Sequence, residues 1–270
     1  MSNGIGFIGC GSMGSAIIKG TVNKGKLSPS NIWCYEINQE ALEALTQEVP
    51  LRVASSYEEL LKNSSMVFLA VKPGDYASLL QELQDNIRKD QVLISVAAGI
   101  SISYLEKYLG TDAKIVRVMP NTPCLVGEGA IAISSGPTVS EEELNTIKSL
   151  LQCLGLTVVV QEKDMNAVTG LSGSGPAYVY LFLESLIEGG VKAGLDRETA
   201  GELARQTVKG AAEMMKVNEQ HPALLKSAVT SPGGTTSYGL YVLEEERFRA
   251  AVVRAVEKAC IRAKELGERE

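Results

Sequence analysis

Two stretches of the chain carry residue types able to do chemistry. One is V-T-S-P-G-G-T-T-S-Y-G, residues 229–239. Pro232 fixes its own φ and biases Ser231 towards an extended conformation, while Gly233 and Gly234 let the backbone come close to a ligand. A helix opening at Thr235 would point its free N–H groups into the same small concavity. Ser231, Thr235 and Thr236 add hydroxyls, and the stretch holds no Lys, Arg, Asp or Glu. Recognition there must use neutral donors, which suits a carboxylate on a small molecule better than a polyphosphate. An ordinary Pro-Gly turn with a threonine cap has the same composition, so the rest of the chain has to decide between the two.

The other stretch is Gly9-Cys10-Gly11-Ser12-Met13-Gly14, set between an apolar run at 5–8 and a helical pattern through Ile17, Ile18 and Val22. Strand, G-x-G-x-x-G and helix in that order form a dinucleotide-binding pattern. Its glycines serve a tight turn, close approach of the backbone to a pyrophosphate, and close packing of helix on strand. The motif alone is weak, but a second strand at 32–35 ends at Glu36, near the distance at which an acidic side chain meets the adenosine ribose. Strands expected at 66–71, 92–96 and 115–119 break into Lys72-Pro73-Gly74, Ala97-Ala98-Gly99 and Pro120-Asn121-Thr122-Pro123. In an open parallel sheet, ligands lie outside the carboxyl ends of the strands. Ala70, Val71, Lys72, Pro73, Ala97, Ala98 and Asn121 should therefore share one edge with the glycine loop, where a nicotinamide would lie. Lys72 is the only cation in the three breaks, with an exposed loop lysine as its plain alternative. Asn121, between Pro120 and Pro123, is placed to be held rigidly.

These positions need a scaffold, and strand and helix signals alternate to supply one. Helices are expected at 39–48 and 57–62, short strands at 51–54 and 130–134, and a last strand at 156–161. Ser140 followed by Glu143 is a capping box opening a helix through Leu151. From Asp164 onward helix signals dominate. The fold class is α/β: an N-terminal Rossmann-type dinucleotide-binding domain at 1–162, then an all-helical substrate-binding and dimerisation domain at 163–270. In the second half Pro176 suits the first turn of a helix that is apolar nearly all round until Glu184. Asp196 with Glu198 caps the next helix, which runs towards Lys216 past Gly210, Ala211 and Ala212. Phe248, Val252, Ala255, Ala259, Ala263 and Leu266 mark the last. A helix apolar on every side must be covered on every side, and so short a domain lacks the partners. A second copy of the chain is expected to supply them.

Composition narrows the function. The chain has 270 residues and a formal charge of -6, which argues against nucleic acid or an anionic membrane as the main partner. The five cysteines, Cys10, Cys34, Cys124, Cys153 and Cys260, are odd in number, scattered and without a C-x-x-C pair, so they read as reduced, mostly buried thiols of a cytoplasmic protein. Residues 1–6 enter an apolar strand directly, without a basic region or cleavage signal, and no export is expected. The longest apolar run, 177–187, contains Glu184 and does not read as a membrane span. No metal-spaced cluster is visible. The single histidine, His221, precedes Pro222 and reads as a helix-entry residue rather than a catalyst.

The motifs F-I-G-C-G-S-M-G-S-A-I, L-A-V-K-P ending at Pro73, M-P-N-T-P ending at Pro123, L-S-G-S-G-P-A-Y ending at Tyr178 and T-S-P-G-G-T-T ending at Thr236 resemble those of the pyrroline-5-carboxylate reductases, in order and over almost the full length. That resemblance implies reduction of the cyclic imine 1-pyrroline-5-carboxylate to L-proline with NADPH or NADH, the last step of proline synthesis. It also implies a C-terminal domain interlocked with a second subunit, often in a ring of such dimers. By the same matching Glu219 falls near the substrate and Glu162 near the cofactor. The resemblance also gives the first stretch a chemical role, in which backbone N–H groups at Gly233, Gly234 and Thr235 hold the substrate carboxylate and the Thr236 hydroxyl meets the ring nitrogen. Hydride transfer to an imine needs neither a metal nor a covalent nucleophile. Two other readings share the fold. A β-hydroxyacid dehydrogenase would want a lysine soon after the glycine-rich segment, but Pro-Ala-Tyr-Val-Tyr follows Gly175 and the next lysine is Lys192. A non-enzymatic nucleotide-binding regulator would have had no need of Thr236 or the paired glycines.

Overall fold

The computed structural model of the chain describes residues 4–218 and 220–268. Its first part runs β1 (Gly4–Ile8), α1 (Ser12–Asn23), β2 (Ile32–Tyr35), α2 (Gln39–Glu48), β3 (Arg52–Val53), α3 (Tyr57–Lys62), β4 (Ser64–Leu69), α4 (Tyr76–Leu83), β5 (Val92–Ser95), α5 (Ile102–Leu109), β6 (Lys114–Met119), β7 (Gly129–Ser135), α6 (Glu141–Leu151) and β8 (Gly155–Val159). The strands form one sheet of eight in the order β3-β2-β1-β4-β5-β6-β7-β8. The pairings from β3 through β6 are parallel, β7 runs antiparallel to β6, and β8 is parallel to β7. Reversal at β7 was not legible in the sequence. The short connection at 120–128 allows it, because a parallel crossover needs a dozen or more residues.

Both faces of this sheet are covered, which is why the central strands are almost continuously apolar. One face packs Ile17 and Ile18 of α1, Leu42 and Leu45 of α2, and Ile147, Leu150 and Leu151 of α6 against Phe7, Phe68, Ile94 and Val116. The other face packs Leu60 and Leu61 of α3, Leu79, Leu80 and Leu83 of α4, and Leu105 of α5 against Ile8, Val67, Leu69 and Leu93. At the centre the Phe7 and Phe68 rings stack with centroids 4.7 Å apart. Each fully buried aromatic of this kind contributes about 1.5–3 kcal/mol.

The second part comprises α7 (Met165–Val168), α8 (Gly175–Lys192), α9 (Arg197–Asn218), α10 (Pro222–Ala228), α11 (Thr235–Glu245) and α12 (Phe248–Glu268). Two compact units divide the chain: residues 1–174 with 257–270, and residues 175–256. The expected break at 162/163 thus differs from the break in packing, and the reason is visible in the first unit. Met165 and Thr169 are buried there, and the Asn121 side-chain amide donates to the Ser172 carbonyl. The change from strands to helices in the sequence precedes the change from one packing unit to the next.

Within the second unit, no residue of α8 is buried, and Tyr180 and Leu181 are 61% and 64% exposed. Its rings meet α12 through Phe182 and Phe248, whose centroids lie 5.9 Å apart. Among the described residues no helix is long and apolar enough to cross a membrane.

Candidate active site

The first unit gathers the candidate cofactor residues of β1, β4 and β5 along one sheet edge. Parallel pairing puts the carboxyl ends of β1, β4 and β5 side by side, as Ala70 N–H donating to Ile8 O (2.8 Å) and Val96 N–H donating to Leu69 O (3.2 Å) record. Gly9 turns the chain with φ of +94°, in the left-handed region, and a Cβ there would press on the Ala70 carbonyl. A Cβ at Gly14 would collide with the Gly9 carbonyl oxygen, so α1 can lie directly on the turn only because that position is glycine. A Cβ at Gly11 would meet nothing within 4 Å, and Gly11 is also the N-cap of α1. The loop therefore leaves open space at the end of a helix whose first N–H groups lack acceptors within it. The three glycines of residues 9–14 thus answer three separate demands, a turn, open space and close packing of helix on loop.

Glu36 closes the far side of the loop. Its Oε2 accepts the Cys10 N–H at 2.6 Å and its Oε1 accepts the Asn38 N–H at 2.9 Å. A carboxylate fixed at the end of β2 suits ribose hydroxyls. Tyr57 packs on Tyr35 with centroids 4.3 Å apart, and burial, helped by the neighbouring Tyr35, pushes its phenol up to about 12, so it stays protonated at neutral pH.

The other cofactor candidates that follow β4, β5 and β6 are placed on the same edge. Ala70, Val71, Lys72 and Pro73 follow β4, with Lys72 exposed, and Ala97 and Ala98 follow β5. Asn121, only 8% exposed, is held as rigidly as its flanking prolines suggest. Its Oδ1 accepts the Ala130 N–H at 2.9 Å and its Nδ2 donates to Ser172 O at 3.0 Å. These bonds make Asn121 a tie between the start of β7 and residue 172. Glu162 has its Oε1 2.9 Å from Arg117 Nη1 and 3.1 Å from the Ile102 N–H that opens α5. Arg117 escaped the sequence reading, although a charged residue inside the otherwise apolar run I-V-R-V-M is a signal that could have found it.

Two of the five cysteines are not free thiols, contrary to what their number and scatter suggest. Cys10 and Cys34 are joined by a disulfide, leaving Cys124, Cys153 and Cys260 free. Residue spacing hides this pair because topology makes it: Ile8 lies opposite Tyr35 in the β1–β2 register, so the turn after β1 returns Cys10 to the neighbourhood of Cys34. Burial pushes the Cys124 and Cys153 thiols up, and they are poor nucleophiles.

The second unit carries the S-P-G-G-T-T stretch. Gly234 N–H donates to Ser231 O at 3.0 Å, Pro232 is the second residue of that turn, and Gly233 has φ of +71°. Proline then a positive-φ glycine is the signature of a type II turn. A Cβ at Gly234 would collide with the Ser231 hydroxyl, and Gly234 is the N-cap of α11. One expected donor is thereby corrected. The Gly234 N–H is committed to the turn, because closing it uses that hydrogen, and the donors left for a carboxylate are those of Gly233 and of the first turn of α11 at Thr235 and Thr236. Thr235 is exposed and Thr236 half-buried. His221 is a cap, its Nδ1 accepting the Ala223 N–H at 3.2 Å at the start of α10. Glu219 lies outside the described residues. Among the described residues no group of three or more His, Cys, Asp or Glu is placed to hold a metal ion.

Comparison with known proteins bears on both units. Residues 162–266 match the family described as pyrroline-5-carboxylate reductase dimerisation, and residues 4–99 match the family described as NADP oxidoreductase coenzyme F420-dependent. Over 268 residues the chain is 38% identical to pyrroline-5-carboxylate reductase of Escherichia coli, covering 99% of this chain and all of that one. It is 42% identical over 264 residues to the Arabidopsis thaliana enzyme of the same name, covering 98% of this chain and 95% of that one. Among solved structures, pyrroline carboxylate reductase of Plasmodium falciparum with NADP bound is 40% identical, covers 99% of each chain and has a TM-score of 0.90.

Proposed function

Because the chain belongs to the pyrroline-5-carboxylate reductase family, and so is an NAD(P)H-dependent oxidoreductase reducing 1-pyrroline-5-carboxylate to L-proline, we propose how its own residues divide that work. Residues 9–14 hold the pyrophosphate on α1, Glu36 takes the ribose hydroxyls, Ala70, Val71, Lys72, Pro73, Ala97 and Ala98 line the edge beyond, and Glu162 stands behind them, bonded to the Ile102 N–H at the end of the loop that carries Ala97 and Ala98. The observation that carries this assignment is the glycine loop, where Gly11 leaves open space while Gly9 and Gly14 have none. When bound there, the reduced nicotinamide supplies a hydride.

The type II turn in the second unit binds the substrate. N–H groups of Gly233, Thr235 and Thr236 meet the carboxylate, whose charge suits the positive end of α11. Ser231 and Gly234 build the turn rather than donate through Gly234. Glu219 belongs with this group by family position. The Thr236 hydroxyl accepts a hydrogen bond from the ring N–H of the protonated imine. It orients the ring and disperses the charge, and as the carbon gains the hydride the nitrogen keeps its proton and becomes the amine. A neutral hydroxyl is sufficient, since the step asks for placement and not for a strong acid. Oxidation of NADPH or NADH followed at the nicotinamide absorbance, with and without the imine, tests the reading. Absence of imine-dependent oxidation of both NADPH and NADH would overturn it.

The chain carries a dimerisation domain, and we place its dimers in a larger ring, as the family resemblance implies. We also place the protein in the cytoplasm, in keeping with a net charge of -6 and a small-molecule substrate. The Cys10–Cys34 disulfide is the observation against that location, because reducing compartments keep thiols reduced. Acid quenching of cells followed by thiol alkylation of the denatured protein decides the point: five modified cysteines agree with the cytoplasm, and a persistent disulfide with only three modified excludes it.

A further inference from the structure

We infer that Arg117 is a positioning residue for the dinucleotide edge, acting through Glu162 on the loop at 96–101. The inference rests on the reading above that Ala97 and Ala98 touch the cofactor.

Arg117 sits in the middle of β6 with only 3% of its side chain exposed. Burying a guanidinium in a strand is costly, and a buried ion pair rarely recovers more than that cost. This pair is also incompletely satisfied. Arg117 Nε and Nη2 and Glu162 Oε2 are buried without a hydrogen-bond partner among the described residues. A device selected for stability alone would be an apolar residue, as at Val116 and Val118 on either side, both 0% exposed.

What the pair does achieve is a three-way junction at one oxygen. Glu162 Oε1 accepts from Arg117 Nη1 at 2.9 Å and from the Ile102 N–H at 3.1 Å. The Ile102 N–H is one of the donors that a helix start leaves without an internal acceptor. Glu162 caps α5 from outside while Ser101 caps it from within, its hydroxyl accepting the Tyr104 N–H at 3.0 Å. The junction thereby ties the end of the 96–101 loop to β6. On its other side the same loop is gripped by the last turns of α12. A Cβ at Gly267 would collide with the Gly99 carbonyl oxygen, and Gly99 itself has φ of +85°. A loop held at both sides has its Ala97 and Ala98 backbone fixed before a ligand arrives, which is what a preorganised site requires.

Direct binding of NADPH, measured by its fluorescence well below the melting temperature, tests the inference separately from imine reduction. Arg117→Met and Glu162→Gln should each raise the Kd for NADPH by about tenfold. The double variant should be no worse than the weaker-binding single, because the two residues act as one unit. Arg117→Lys should recover part of the loss, since only Nη1 of the guanidinium is engaged with Glu162. If Arg117→Met fails to fold, Glu162→Gln and Arg117→Lys still report. A Kd within twofold of wild type in variants with a lowered melting temperature would reduce the pair to a structural one, and additive losses in the double variant would also overturn the inference. A wild-type protein that binds NADPH but leaves the imine untouched would instead refute the proposed function and leave this inference standing.

Discussion

The Cys10 N–H donates to Glu36 Oε2 at 2.6 Å, which locks the acidic end of β2 against the second residue of the glycine loop. With a dinucleotide on the glycine loop as proposed, a carboxylate fixed there would accept ribose hydroxyls and repel a phosphate on the 2′ position. Ile37, Asn38 and Gln39 follow it, so no arginine stands beside it in sequence to offset the charge.

Cofactor preference follows from that contact. NADH should be usable alongside NADPH, and Glu36→Ala should shift the ratio of kcat/KM values towards NADPH by roughly tenfold, the value of one charge contact of about 1.4 kcal/mol. Steady-state kinetics with both cofactors check this. A wild-type kcat/KM for NADPH far above that for NADH would defeat it.

Stability should depend on pH through Glu143. Burial pushes its carboxyl up, but bonds from Lys114 and Ser140 outweigh that and hold the group below its ordinary value of 4.5. Lys114 Nζ is 2.6 Å from Oε1, and the Ser140 N–H donates to Oε2 at 2.9 Å, completing the capping box of α6. A folded-state value below the unfolded one gives stability that is present above the unfolded pKa and lost as pH falls through the folded pKa. Glutamine keeps the capping box and removes only the charge. Glu143→Gln should therefore cost about 0.5–1 kcal/mol at pH 7 and less near pH 3, as the carboxyl takes up its proton. Urea unfolding at the two pH values checks the sign, and a cost that persists undiminished in acid would disprove the assignment.

The sequence was most legible where one residue type answers one backbone demand. Gly9, Gly11 and Gly14 could be given separate roles because positive φ, open space and close packing are each local requirements. The capping box at Ser140 and Glu143, the histidine cap at His221 and the turn at Pro232 were legible for the same reason. What could not be read depends on partners distant in sequence. Cys10 meets Cys34 because β1 pairs with β2, Arg117 meets Glu162 across 45 residues, and the Gly234 N–H is lost to the turn it helps to make. Residue types announce these groups; only the three-dimensional arrangement says whom they meet.

Assembly should be required for the folded, active protein. Tyr180 and Leu181 of α8 are more than half exposed in the single chain, along a helix that is apolar nearly all round, and a dimerisation domain spans it. Light scattering should find a dimer or a multiple of one. Leu181→Glu, which places a charge on that face, should weaken association by at least tenfold and lower activity with it. A wild-type protein that is monomeric and fully active when dilute would contradict the role assigned to α8.

Thr236 stands at the second position of α11, just past the N-cap Gly234, and two roles for it make opposite forecasts. As a residue of the first helical turn it could serve only the fold, in which case alanine lowers the melting temperature and leaves kinetics at low temperature near normal. The structure weakens that alternative, because the N-cap is Gly234, and the hydroxyl that donates to Gly234 O belongs to Ser237, at 2.7 Å. If instead the Thr236 hydroxyl meets the ring nitrogen, Thr236→Ala should lower kcat/KM for the imine by roughly tenfold to a thousandfold, the usual range for one positioned polar contact. The Kd for NADPH should hardly change, since the residues proposed to hold the dinucleotide belong to the other unit. Thr236→Ser keeps the hydroxyl and should recover much of the loss. Melting temperature and steady-state kinetics measured on the same alanine variant separate the two roles, and full activity in a destabilised protein would end the catalytic one.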